Sequence, residues 1–222
     1  MIYIYGDSHG NFSFNNLPLP HRKRHSNSIT MFRIGRDNKV INYNKNELHL
    51  GDTIILVYGE VDCRCHIERQ KQLGKNEDNI IYELVNKYFH TIKNNIPRQL
   101  TTIIVGVVPP VKLPENREPA DPENMFPVLG SNEDRVRYTS KVNKLLEELS
   151  ISNNYFYFNP YDFYTSPEGT LIPELSDSGV HIGDNSIVLE KFIDFYYKIN
   201  PNPQQNNSIS VMQKRVNMCF TK

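Results

Sequence analysis

Apolar and polar positions follow two different periods along this chain, and the two periods predict different elements. Short runs of aliphatic and aromatic residues, bounded by glycine, proline or polar residues, predict buried strands. These runs lie at residues 1–5, 28–34, 53–58, 102–108 and 155–158. Apolar residues at three- and four-residue spacings predict amphipathic helices at residues 77–95, 133–148 and 186–199. Strands that alternate with helices over this length favour an α/β fold whose parallel sheet is covered on both faces.

Two segments follow neither period. Residues 109–130 carry several prolines, which remove backbone donors and restrict the preceding residue, so we predict an irregular loop beside a site or on the surface. Residues 200–222 contain two prolines and a Gln/Asn run. We predict that this tail is flexible, adds an edge strand or contacts a second copy of the chain in a homo-oligomer. The predicted organisation is one domain over residues 1–199 and a tail over residues 200–222.

Composition narrows the class of protein. A chain of 222 residues that is 38% hydrophobic can bury one sizeable core. Lys+Arg and Asp+Glu both number 25, so the net charge gives no overall attraction to nucleic acid or to an anionic membrane. The basic run at residues 21–25 is the exception; we interpret it as a solvated loop, with an anion or partner contact as the alternative.

Cysteine usage and the N-terminal residues indicate a compartment. Three cysteines cannot form a fully paired framework, so we expect free thiols and a reducing environment. The chain opens directly on strand-forming residues, and we find neither a signal peptide nor a transmembrane segment in it. We therefore expect a cytoplasmic protein.

Candidate chemistry begins with the run Gly-Asp-Ser-His at residues 6–9, directly after the first predicted strand. Ligands of open parallel sheets bind at the carboxyl ends of the strands, so Ser8 on this turn would lie at a binding site. A serine hydroxyl is a poor nucleophile unless a nearby imidazole removes its proton. His181, in the loop before the last predicted helix, is the candidate base.

These residues, in this order, resemble the SGNH, or GDSL-type, hydrolase superfamily over most of residues 1–199. Residues 6–8 are similar to the first block of the family, Gly35 to the glycine of its second block, and Gly-Glu-Val-Asp at residues 59–62 to its third block. The resemblance implies a flavodoxin-like three-layer α/β/α sandwich with a central parallel sheet. It also implies an acyl-enzyme without cofactor or metal, in which Ser8 attacks an ester carbonyl and His181 acts as base and then as acid.

The resemblance further implies an oxyanion hole that includes the backbone N–H groups of Ser8 and Gly35. On this basis we assign a set of residues to the oxyanion hole or to substrate binding. The set is Gly35, Gly59, Asp62, Arg64, Asp7 and His9.

Two positions depart from the family pattern. Val61 stands where the third block has an asparagine that donates to the oxyanion; Arg64 is the candidate substitute, and a salt bridge at a helix start is the alternative role for it. Ser178 stands where the family has an aspartate, three residues before the histidine. Asp177 could orient the histidine if the loop bulges, and otherwise the site is a serine–histidine dyad.

The predicted function is a serine esterase or O-acyltransferase that acts on a small-molecule or glycan ester, with an acetyl ester on a carbohydrate as the favoured substrate. Tyr161 and Tyr164, which follow a proline, are the candidates for stacking on a sugar ring.

Other functions stay open. The departures at Val61 and Ser178 fit a catalytically degenerate glycan-binding module on the same fold. Asp7 and His9 have the spacing of a metal pair in a metallophosphoesterase, although we find no block that would supply the further ligands of a two-metal site. A Cys-x-Cys-His run at residues 63–66 is a weak zinc signal, and buried cysteines at a helix start explain it equally well.

Overall fold

Five strands form one parallel sheet in a computed structural model that describes residues 1–25, 29–38, 48–114 and 124–201. The strands are β1 (Ile2–Gly6), β2 (His21–His25), β3 (Thr53–Val57), β4 (Thr101–Val105) and β5 (Phe156–Phe158). Their order across the sheet is β2-β1-β3-β4-β5, and each neighbouring pair is parallel. This is the flavodoxin-like order, so the predicted fold class is confirmed.

Helices connect these strands. They are α1 (Ser8–Ser13), α2 (Met31–Asp37), α3 (Ile67–Gln72), α4 (Glu77–Asn95), α5 (Asn132–Ser152), α6 (Tyr161–Tyr164) and α7 (Ser186–Ile199). A π-helical turn, Asp62–His66, leads directly into α3, and a 3₁₀ turn, Pro173–Leu175, precedes the histidine loop. The two long helices begin at side-chain caps, Asn76 for α4 and a Ser131 capping box for α5, which satisfy backbone donors at the helix start.

Alternate residues of the strands point to opposite layers. The side chains on one face share a core cluster with α2, α4 and α5, and those from the three central strands are Tyr3, Tyr5, Ile54, Leu56 and Ile104. The residues between them are also buried, and α1 contacts β1, β2 and β3. Because both faces are covered, the central strands have nearly continuous apolar sequences.

The sheet lies in a compact unit that runs from Met1 to Leu189, and a second unit runs from Glu190 to Lys222. Within the second unit, Asn200 donates its side-chain amide to the carbonyl of Tyr196 at the end of α7. The predicted tail contacts fall on residues 202–222, which lie outside the described residues, and the boundary at residue 199 stays a prediction. Within the described ranges, no helix combines the length and the apolar character needed to cross a membrane.

Two predictions near residue 30 are wrong. The run at residues 28–34, of which residue 28 lies outside the described part, predicted a strand, but helix α2 begins at Met31. The Thr30 side chain accepts a hydrogen bond from the N–H of Arg33. This N-cap stabilises the start of a helix at residues whose β-branched side chains predicted a strand. The basic run at residues 21–25, interpreted as a loop, is strand β2 at the edge of the sheet. Edge strands commonly carry charged residues because one side of the strand has no partner.

Candidate active site

Ser8 lies at the start of α1, just beyond the carboxyl end of β1. Asp7 caps this helix by accepting a hydrogen bond of 2.9 Å from the N–H of His9. Gly6 allows the end of β1 to lie close to the end of β3, because a Cβ at this position would lie 2.9 Å from the carbonyl oxygen of Val57. The turn leaves Ser8 half-buried beside the ends of β1 and β3, at the switch point where ligands of this strand order bind.

His181 reaches Ser8 across 173 residues of sequence: its Nε2 lies 2.8 Å from Ser8 Oγ. Its other ring nitrogen, Nδ1, lies 2.9 Å from Oδ2 of Asp177. The second oxygen of this carboxylate accepts the backbone N–H groups of Gly179, at 2.8 Å, and of His181, at 3.1 Å. A carboxylate at Nδ1 favours the tautomer with the proton on Nδ1, so Nε2 is free to accept the serine proton.

The loop presents Asp177 rather than residue 178 because it bulges. Ser178 has a φ of 68°, in the left-handed region, and its side chain does not take part in the path from Ser8 to His181. The N–H of Asp177 donates to the carbonyl of His181 at 3.1 Å, which closes the loop on itself. The structure therefore brings Ser8, His181 and Asp177 together.

Two residues that the sequence analysis did not single out hold this arrangement. Phe12 stacks on His181, with ring centroids 4.1 Å apart and an angle of 8° between the ring planes. Asn185 donates its side-chain amide to the carbonyls of Phe12, Ser13 and Asn15 at the end of α1. Phe12 lies four residues after Ser8, on the same side of a helix, and this spacing is the signal that could have identified it.

The electrostatics of the triad suit a general base. Burial lowers the pKa of His181 below its usual value, the neighbouring His9 lowers it further, and Asp177 acts in the opposite direction. Although partial burial opposes it, the hydrogen bonds from His181 and Gly179 lower the pKa of Asp177. At neutral pH the imidazole is therefore neutral and the carboxylate is ionised.

Solved structures with the same arrangement of elements identify the fold. A GDSL-like lipase from Bacteroides thetaiotaomicron is 15% identical, with a TM-score of 0.55 over 90% of this chain and 88% of the lipase. A psychrotrophic esterase from Pseudoalteromonas sp. is 11% identical, with a TM-score of 0.51 over 90% of this chain and 98% of the esterase. The chain has the SGNH hydrolase fold. No protein-family model and no curated protein matches the sequence.

The glycine assigned to the second block of the SGNH pattern does not lie at the site. Gly35 is inside α2, where a Cβ would lie 2.8 Å from Cβ of Lys87 on α4. Its backbone N–H is within the regular bonding of the helix. The prediction that Gly35 donates to the oxyanion is therefore wrong, and the glycine instead allows two helices to approach.

Two residues of the third block are structural. Asp62 is fully buried and accepts the N–H groups of Met31, at 2.9 Å, and Phe32, at 3.1 Å, at the start of α2. Burial raises its pKa to about 7. Gly59 has a φ of 123° and turns the chain after β3. The assignment of Asp62 to substrate binding is wrong, because its carboxylate is enclosed and occupied.

Arg64 forms a salt bridge, which was the alternative to its predicted role as an oxyanion donor. Its Nε lies 2.9 Å from Oε1 of Glu60, and its Nη1 donates to the carbonyl of Phe126. The Arg64 carbonyl accepts the N–H of Leu129 at 2.9 Å, so this residue ties the segment before α5 to the π-helical turn. Val61 is buried and has no donor to replace the asparagine of the SGNH pattern.

Residues of the two metal alternatives have other partners. Asp7 caps α1, and His9 donates from Nε2 to the carbonyl of Val180 at 3.0 Å. Cys63 and Cys65 are buried in the π-helical turn. In the part of the chain that the structure describes, no group of three or more His, Cys, Asp or Glu side chains is placed to hold a metal ion. The geometry of these residues supports neither a metallophosphoesterase nor a zinc site.

The two tyrosines considered for sugar stacking differ in burial. Tyr164 is fully buried; its hydroxyl donates to the carbonyl of Asp184 and accepts the N–H of Val188. Tyr161 donates its hydroxyl to the carbonyl of Gly169 at 2.8 Å. The buried ring of Tyr164 cannot stack on a sugar, whereas Tyr161 is half-buried and its stacking stays a prediction.

Proposed function

We propose that this chain is a serine ester hydrolase in which Ser8 forms an acyl-enzyme. The observation that carries the proposal is the continuous path from Ser8 Oγ to His181 Nε2, 2.8 Å, and from His181 Nδ1 to Asp177 Oδ2, 2.9 Å. A serine hydroxyl beside a neutral imidazole, itself oriented by a carboxylate, is the arrangement that activates a serine nucleophile. The esterase and lipase relatives in fold support the same class of reaction.

The residues divide the chemistry between them. Ser8 Oγ attacks the ester carbonyl carbon while its proton passes to His181 Nε2, and Asp177 stabilises the resulting imidazolium. The tetrahedral intermediate breaks the C–O bond to the leaving alcohol, which takes the proton from His181. Water then gives a proton to His181 and attacks the acyl group, and the carboxylic acid product leaves as Ser8 recovers its proton.

The oxyanion hole limits the rate. The carboxylate of Asp7 accepts the N–H of His9, and the Asp7 carbonyl accepts the N–H of Gly10, which leaves the N–H of Ser8 as the candidate oxyanion donor. The missing amide at Val61 corresponds to a loss of about 10²–10³-fold in kcat. We therefore expect efficient formation of a covalent adduct with a reactive probe but slow turnover of an ester.

The proposed substrate is an ester of a small acyl group, such as acetyl, on a sugar hydroxyl, with water or a second sugar hydroxyl as acceptor. His181 has to protonate the leaving alcohol, so the leaving group lies beside this ring. Phe12 stacks on His181 and is 39% exposed, so it offers an aromatic surface to that group. A sugar ring suits such a surface, which supports the carbohydrate class.

A fluorophosphonate probe tests the nucleophile, and intact-mass analysis measures the adduct. We expect one adduct on the parent chain and none on Ser8→Ala or His181→Ala. Ser140→Ala, which changes an exposed serine on α5, is the matched control and should label like the parent. An adduct that persists on Ser8→Ala, or a parent chain that does not label, would overturn the proposal. If the parent chain does not label, sugar binding should be measured on the parent chain and on Ser8→Ala. Equal binding by the two would favour the glycan-binding module that the departure at Val61 suggests.

Product analysis tests the substrate class. An acetylated sugar and methyl acetate are compared on the parent chain and on Phe12→Leu, because both variants retain the same triad. We expect the change at Phe12 to reduce kcat/KM for the sugar ester more than for methyl acetate. Equal losses for the two esters would argue against a sugar leaving group. Mass spectrometry of the sugar products with an added acceptor distinguishes acyl transfer from hydrolysis.

A further inference from the structure

We propose that His9 is a positioning residue: as a buried cation it holds the loop of the catalytic histidine by donating from Nε2 to the carbonyl of Val180. This inference rests on the proposed function, because it concerns how the same serine site is assembled. The sequence analysis assigned His9 to the oxyanion hole or to substrate binding, but its ring is buried against the loop of the catalytic histidine.

The geometry joins the nucleophile turn to the base loop. His9 follows Ser8 directly and is only 3% exposed. Its Nε2 lies 3.0 Å from the carbonyl oxygen of Val180, the residue immediately before His181. The rings of His9 and His181 lie against each other, with centroids 4.6 Å apart. A displacement of His9 would therefore move both the backbone and the ring of the base.

The surroundings of His9 are those of a cation. Its Nε2 faces the Val180 carbonyl and, at 3.5 Å, Oε2 of Glu60, while its Nδ1 lies 3.4 Å from Oδ1 of Asp7. Each of these groups can only accept, so both ring nitrogens favour a proton. Although burial opposes the charge, Glu60 and Asp7 raise the pKa of His9 to about 9.

The buried carboxylates beside His9 require cations. Asp7 and Glu60 are 5% and 6% exposed, and a buried carboxylate without a cation is strongly unfavourable. Arg64 pairs with Glu60 and, through the carbonyl of Phe126, contacts the segment before α5. With His9 protonated, two cations face Asp7 and Glu60, and Asp62 is a third buried carboxylate, whose pKa is raised by burial and by these two neighbours. His9 thus connects the histidine loop to a buried network that also anchors a second loop.

The positive charge also acts on the base. The charged or titratable groups that influence His181 are His9, Asp177 and Glu60; Phe12, on its other side, is uncharged. Repulsion by His9 lowers the pKa of His181, and Asp177 and Glu60 oppose this effect. Removal of the His9 charge should therefore raise the pKa of His181 and move the acidic limb of the rate profile to higher pH.

Three variants separate charge from hydrogen bonding. His9→Gln keeps a donor that can reach the Val180 carbonyl but removes the charge, and His9→Leu removes both. His90→Gln, at an exposed position on α4, is the matched control. We measure the fluorophosphonate labelling rate between about pH 5 and about pH 9, and the titration of His181 by imidazole ¹⁵N NMR in the same range. Thermal unfolding confirms that each variant is folded.

The expected results differ between the variants. His9→Gln should keep the plateau labelling rate within roughly threefold of the parent, while His9→Leu, which frees the base loop, should lose on the order of 100-fold. The pKa of His181 should rise in His9→Gln, and His90→Gln should change neither quantity. A loss in His9→Gln as large as in His9→Leu, or an unchanged plateau in His9→Leu, would overturn the positioning role.

The NMR titration keeps this test separate from that of the proposed function. If the parent chain does not label, the proposal of a serine hydrolase fails, but the His181 titration still reports on His9. If His9→Leu does not fold, the His9→Gln titration decides. An unchanged pKa of His181 in that variant would contradict the buried cation.

Discussion

Asp177→Asn should disable the site by forcing His181 into the wrong tautomer. In the parent chain, one oxygen of Asp177 accepts the backbone N–H groups of Gly179 and His181, at 2.8 and 3.1 Å, while the other faces His181 Nδ1 at 2.9 Å. An asparagine can accept the two backbone N–H groups only with its carbonyl oxygen, so its NH₂ group must face Nδ1. Nδ1 then has to accept, and Nε2 carries the proton. In this state Nε2 cannot take the proton of Ser8.

The magnitude follows from what the tautomer does. The corresponding change in serine proteases reduces kcat about 10⁴-fold through the same tautomer exchange, which is about 5.4 kcal/mol of transition-state stabilisation at 1.36 kcal/mol per factor of ten. The side chain of Asp177 is 24% exposed, so water competes with the new amide contact. We therefore expect a loss of about 10³–10⁴-fold. Asp177→Ala should lose less, because Nδ1 then faces water and neither tautomer is enforced.

The labelling rate with a fluorophosphonate, followed by intact mass, measures this loss on both variants. Glu174→Gln is the matched control, since it neutralises an exposed carboxylate in the 3₁₀ turn of the same region. The acidic limb of the labelling rate plotted against pH should also move to lower pH in Asp177→Asn, because Asp177 raises the pKa of His181 in the parent chain. A labelling rate within about tenfold of the parent, or a greater loss in Asp177→Ala than in Asp177→Asn, would refute the tautomer argument.

Three further predictions use other measurements. Val61→Asn, which restores an amide at the oxyanion position, should raise kcat for p-nitrophenyl acetate by roughly tenfold or more, whereas Val61→Ala should not. Asn185→Ala removes the donor to the carbonyls at the end of α1 and should lower the free energy of unfolding by about 1–3 kcal/mol in urea; an unchanged midpoint would contradict this. The pKa of His9 is raised to about 9, so its contribution to stability is complete below about pH 6.5 and is lost as pH rises through 9. Urea unfolding measured from about pH 6.5 to above pH 9 should show the free energy of unfolding fall by on the order of 3 kcal/mol in the parent chain, and this fall should be absent in His9→Gln.

The central part of the fold is predictable because burial leaves a clear pattern. Strands β1, β3 and β4 are buried and mainly apolar, and α4 has a continuous apolar stripe at the predicted residues, Glu77–Asn95. The edge strand β2 has no such signal, since residues 21–24 are alternately half-buried and exposed and most residues of the strand are basic. Helix α2 was missed for a different reason. Its start is fixed by Asp62, a residue from a distant turn that no local window includes.

The site shows the same division. Ser8 and His181 could be selected from the sequence because each lies at a turn next to a predicted element. For the third residue, the sequence left two possibilities open, a triad with Asp177 or a serine–histidine dyad. The choice between them depends on the left-handed backbone of Ser178. Gly35 was assigned by its order along the chain, but contact with Lys87 is what requires a glycine there. A role that depends on packing between helices has no signature in the order of motifs.

The carboxylates around Ser8 explain why Arg64 does not compensate for Val61. Asp7 and Asp62 accept backbone N–H groups at the starts of α1 and α2, and Glu60 pairs with Arg64 and His9. If Arg64 turned toward the oxyanion, it would leave Glu60 with one cation in a buried position and release the carbonyl of Phe126. Breaking a buried ion pair costs about 3–5 kcal/mol, which is comparable with the roughly 2.7–4 kcal/mol that one oxyanion donor provides, so the movement of Arg64 would bring no clear net gain. We therefore expect Arg64 to stay in the network, and the proposed reaction then has one oxyanion donor fewer than the SGNH pattern supplies.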